Sequence, residues 1–155
     1  MNDLLWIIFL SIAPVAEVRG GIPYGIFASD ISLPVVVIVS VISNVLVAPL
    51  SYAILHFLES RFRRLAFFDR FWSSTVLRSQ RKVHPYVEKY GTLGIALFIG
   101  VPIPGTGVYT AAIGAYTLGI PFQKFFIASV IGVCIAATAV TLISLFGAGI
   151  WLWFI

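Results

Sequence analysis

The sequence predicts an all-α membrane protein of two inverted repeats, each a re-entrant helical hairpin followed by a long transmembrane helix. Three observations point there. Hydrophobic residues make up 60% of the 155 residues and charged residues 10%, where a soluble domain carries about 25% charge; mean hydropathy is +1.04. A Gly/Pro break interrupts an apolar stretch twice, as Glu17-Val18-Arg19-Gly20-Gly21-Ile22-Pro23-Tyr24-Gly25 and as Gly100-Val101-Pro102-Ile103-Pro104-Gly105-Thr106-Gly107. A long apolar run then opens at a proline, and Gly20 to Pro34 is the same interval as Gly107 to Pro121.

The first apolar arm, Leu4 to Ala16, is too short for a span, which needs about 20 residues. Pro14 and the Glu17–Gly21 break interrupt it, and Ile22 to Ala28 is apolar again. Residues 4–28 are therefore one kinked span, or a hairpin that enters the bilayer, turns near Gly20-Gly21 and leaves on the same side. Irregular backbone at membrane depth must be buried in protein or line a wet cavity. Ser29-Asp30-Ile31-Ser32 is a polar turn, with Pro34 suited to the first turn of the next helix. Leu33 to Leu58 carries no charge and is long enough to span with tilt. Ser40, Ser43, Asn44 and Ser51 share one face of it, for helix–helix hydrogen bonding or, at Asn44, for lining a transport path.

Eight of the ten basic residues fall in 59–90: Arg61, Arg63, Arg64, Arg70, Arg78, Arg81, Lys82 and Lys89. The positive-inside rule places that block in the cytoplasm of a multi-pass cell-membrane protein. Leu65, Phe68, Trp72 and Val76 recur at helical spacing, which suits an amphipathic helix on the inner leaflet or a solvated connector, broken at His84-Pro85. Repeat one is thus 4–58, the connector 59–90, repeat two 91–146, and 147–155 an interfacial tail with Trp151 and Trp153. In repeat two, Thr92 to Ile103 is the short arm and Pro102 to Gly107 the turn. The run 121–146 carries a small-residue stripe, Ala128, Gly132 and Ala136, suited to close helix approach and to a homodimer or larger homo-oligomer.

Glu17 and Arg19 are the only charges in the short arms. A charge at the bilayer centre costs about 2.5–3.5 kcal/mol on insertion scales, so the pair is either a structural tie or a site, with Arg19 on an anionic group and Glu17 carrying a proton. Gly20, Gly21, Pro23, Pro102, Pro104, Gly105, Thr106 and Gly107 complete the candidate substrate-binding set with Asn44; the glycines expose N–H groups to an anion or only permit turns. One cysteine, Cys134, two separated histidines, and no second acid near Glu17 leave no metal site, cofactor or catalytic constellation in view. A non-enzyme is expected, with membrane lipids and a small amphiphilic or lipid substrate as partners and no nucleic acid. Paired broken segments in two halves point to the binding site of a transporter.

Val87-Glu88-Lys89-Tyr90-Gly91 followed by Phe98 to Gly105 resembles the second-half signature of the DedA (SNARE-associated, VTT-domain) superfamily. Glu17-x-Arg19-Gly20-Gly21-Ile22-Pro23 with Pro104-Gly105-Thr106-Gly107 resembles its branch of small multidrug export proteins. The resemblance implies two inverted re-entrant hairpins meeting at the midplane. It also implies a proton-linked transporter or flippase for a polyprenyl-phosphate or phospholipid. The two arginines of the superfamily's second-half motif fall here on Val101 and Gly107. The alternatives are an exporter of small lipophilic cations, with Glu17 as cation and proton site and Tyr24, Tyr109 and Tyr116 as aromatic walls, or a membrane-shaping scaffold.

Overall fold

A computed structural model describes residues 2–62, 66–103 and 105–153, with side chains for 2–58, 77–103 and 105–147. Arg63, Arg64, Leu65 and Pro104 lie outside the described residues, as do the side chains of Arg61, Phe68, Arg70, Trp72, Val76, Trp151 and Trp153. The described residues form seven helices and no strand: α1 Asn2–Ile12, α2 Val18–Ala28, α3 Leu33–Phe62, α4 Ala66–Tyr90, α5 Thr92–Gly100, α6 Val108–Thr117 and α7 Phe122–Trp153. Two apolar stretches, Leu33–Leu58 in α3 and Phe122–Gly147 in α7, are long enough to cross a membrane.

α1 and α2 are not one kinked helix. A methyl group on Gly21 would run into the Ser11 hydroxyl and come within 3.0 Å of the Ile7 carbonyl, so the two helices lie side by side. The turn between them is residues 13–17, not Gly20-Gly21. Gly20, Gly21 and Pro23 all sit inside α2. Within that helix Gly21 admits α1, and Gly25 admits Val36 of α3. Chain reversal falls instead on Glu17, the one described non-glycine residue with positive φ (51°).

The second pair of short helices is built otherwise. α5 ends at Gly100, the described residues 101–103 and 105–107 lie outside any helix, and α6 starts at Val108. Gly105 takes φ 84° in that loop, and Gly119 takes φ 70° where α6 stops, with the Ile120 N–H reaching back to the Ala115 carbonyl at 2.9 Å.

Both pairs end beside the middle of a long helix. Asn44, near the centre of the α3 span, donates Nδ2–H to the Ser11 carbonyl at the end of α1 (2.8 Å). Ile135, near the centre of the α7 span, lies against Gly100 at the end of α5. α3 and α7 run antiparallel: Tyr52 stacks on Phe125 at 4.6 Å, while Leu33 to Ile38 face Thr138 to Leu142 across a cavity of about 360 Å³. α2 crosses to pack on α7, and α6 crosses to pack on α3.

Two further expectations change. α4 runs through His84-Pro85 to Tyr90 without a break. Its C-terminal half also packs on α5 and α6, with Val83 fully buried against Gly114, because an apolar side chain there finds protein. The stripe Ala128, Gly132 and Ala136 faces inward. Gly132 receives the Ala96 carbonyl and the Ile99 side chain, so close approach serves α5 within the chain and not a second copy. Helix α7 continues through the expected tail to Trp153.

Candidate functional site

Glu17 and Arg19 come from the turn and first residues of α2. Arg19 Nη1 donates to Glu17 Oε2 at 3.0 Å. Arg19 Nη2 then crosses to the other hairpin, donating to the carbonyls of Ile99 (3.0 Å) and Val101 (2.8 Å) and to Thr106 Oγ1 (3.2 Å). Thr106 is itself held, its hydroxyl lying 2.8 Å from the Val101 carbonyl and 2.7 Å from that of Ile103. The last carbonyls of a helix have no partner within it and carry its negative end, so the end of α5 is a natural seat for a guanidinium.

Glu17 lies 2% exposed against Gly107, where a methyl group would collide with both carboxylate oxygens. The N–H groups of Val108 and Tyr109 at the start of α6 face the carboxylate, yet Oε1 has no hydrogen bond of good geometry. The order across the site is therefore positive helix end, carboxylate, guanidinium, negative helix end. Each charge is neutralised by its neighbours, which is the condition for burying it at all. The left-handed backbone at Glu17 costs of order 1–3 kcal/mol, and the clasp on the facing loop holds it.

The structure thus brings Glu17, Arg19, Thr106 and Gly107 together. Gly105 sits at the edge, its carbonyl 3.5 Å from Lys82 Nζ of α4. Pro102 is exposed in the same loop. Gly20, Gly21 and Pro23 stand further along α2, where Gly21 packs on α1. Asn44 does not touch the ion pair; it holds the end of α1. Sequence reasoning did not find Tyr109 in its actual place, where its hydroxyl donates to the Ile12 carbonyl at 2.6 Å and ties α6 to the end of α1. Nor did it find the Ile99 and Val101 carbonyls, since a backbone acceptor has no letter of its own. Tyr116 sits instead in a cluster with Tyr52.

Comparison with curated proteins gives no match, and neither does comparison with solved structures. One family, whose description as small multi-drug export protein is itself provisional, matches residues 17–139, from Glu17 to about the middle of α7. On that match the chain belongs to the small multi-drug export protein family.

Proposed function

We propose that the protein is a proton-linked exporter of small lipophilic cations, in which substrate and proton compete at Glu17. The observation that carries this reading is a carboxylate, buried between two hairpin tips, with one oxygen unpaired. An acid at that depth is retained for a partner or a task, and the family description favours export of drugs. A phosphate-carrying substrate would need Arg19 free, but both its terminal nitrogens face protein oxygens.

The same proposal takes each pair of short helices as re-entrant and the two halves as inverted repeats. The antiparallel long helices and the reciprocal crossing of α2 and α6 support this, as does the way both tips stop at mid-span. With the basic connector in the cytoplasm, the α1–α2 hairpin enters from outside and α5–α6 from inside. We infer transport in place of catalysis, and an oligomer that shields the apolar faces of α3 and α7. The test is proton flux in proteoliposomes on addition of a lipophilic cation. Flux in the wild type that disappears in Glu17→Gln supports the reading; equal flux in both removes Glu17 from the mechanism.

A further inference from the structure

The Arg19 head group occupies a cradle made only of acceptors: Glu17 Oε2, the Ile99 and Val101 carbonyls, and Thr106 Oγ1. One of these comes from the C-terminal end of α5 and two from the loop after it. Arg19 Nε, by contrast, is buried and has no partner. The protein therefore satisfies the guanidinium's end and not its stem. A residue locked purely for structure gains from bonds along its length. Here a detached cation of the same shape makes every bond that Arg19 makes.

We propose that Arg19 is a tethered stand-in for the exported cation, and that the cradle selects guanidinium- or amidinium-bearing substrates. This rests on the export reading and names its substrate class. Bare carbonyl and hydroxyl oxygens at about 3 Å call for N–H donors. Guanidinium supplies several in a planar fork, and a quaternary ammonium supplies none. Thr106 is then a specificity-determining residue: it offers the cradle's one hydroxyl acceptor and orders the loop carbonyl of Val101 by donating to it or to Ile103. Protonating Glu17 removes the only anion of the cradle and lowers its hold on any cation, so release on the side with more protons follows from the same geometry.

The experiment uses the full chain in lipid nanodiscs. Arg19→Ala empties the cradle. Methylguanidinium at millimolar concentration is then expected to raise the melting temperature of that variant saturably, as binding to the folded state requires. Tetramethylammonium at equal ionic strength is expected to leave it unchanged. Wild type, where the substrate must first displace Arg19, is expected to need a higher methylguanidinium concentration for the same rise and to show none with tetramethylammonium. Adding Thr106→Val to Arg19→Ala weakens methylguanidinium binding about tenfold, as loss of a hydrogen bond to a charged group does. No rise with methylguanidinium, or an equal rise with both cations, overturns the cradle. Wild-type proteoliposomes supply a second measurement that does not depend on the variant's folding: proton flux driven by methylguanidinium should exceed that driven by tetramethylammonium about tenfold or more, and equal flux also overturns the selectivity. Saturable binding to Arg19→Ala with no flux of either cation in wild type keeps the cradle and removes the export reading. Flux of the quaternary cation alone removes the cradle and keeps export.

Discussion

The two hairpins reach the same place and bring different things to it. The first turns tightly over residues 13–17, with α1 and α2 packed at a glycine contact. It delivers side chains, Glu17 and Arg19. The second turns through an open loop, with α5 and α6 only loosely in contact, and delivers mainly backbone: two carbonyls, the N–H groups of Val108 and Tyr109, and a glycine where any side chain would collide. A charge and a helix end are complementary partners at low dielectric, since a helix end needs a charge and a buried charge needs dipoles. One supplies the charges, and the other supplies the helix ends that face them.

Removing the charge that spans the two hairpins should have the largest effect. Arg19→Ala leaves Glu17 buried without its cation and is expected to destabilise by about 3–5 kcal/mol in denaturant unfolding in nanodiscs. A loss below about 1 kcal/mol would mean that the ion pair does not hold the tips together. Next come the glycines. Gly21→Ala at the tight hairpin forces a methyl group onto Ser11 and the Ile7 carbonyl, and overpacking of this kind costs about 1–3 kcal/mol. Among the described residues, Gly105→Ala meets only the end of the Lys82 side chain, so its expected loss is the left-handed strain, about 1–2 kcal/mol. Equal losses at the two positions would erase the distinction between a packed and an open hairpin. Gly107→Ala is the sharper variant for function. Its methyl group lands on the Glu17 carboxylate, so transport should fall further than the melting temperature would suggest. The smallest effect belongs to Tyr109→Phe, which removes one neutral hydrogen bond between the hairpins, about 1 kcal/mol. A loss beyond about 3 kcal/mol would make that bond, not the ion pair, the main tie.

Composition and length were enough to read the membrane class, the two long helices and the place of the second break, because these are local properties: charge content, apolar run length and proline geometry. The isolation of Glu17 and Arg19 in otherwise uncharged arms was legible for the same reason, and it marked the residues that meet the facing loop. What each glycine does was not legible. Gly20-Gly21 and Gly132 carry the same letter as the turn glycine Gly105, yet they lie within helices, and Gly21 and Gly132 are contact surfaces there. Whether a missing side chain permits a turn or admits a neighbour depends on what stands opposite, and sequence spacing does not contain that. The reversal at Glu17 is the clearest case. A non-glycine residue takes a backbone conformation that glycine would take more easily, and it is held there by Gly107 and, through Arg19, by carbonyls some eighty positions away. Only the tertiary structure supplies those partners, so only the tertiary structure decides where the first hairpin turns, and with it where the charge sits.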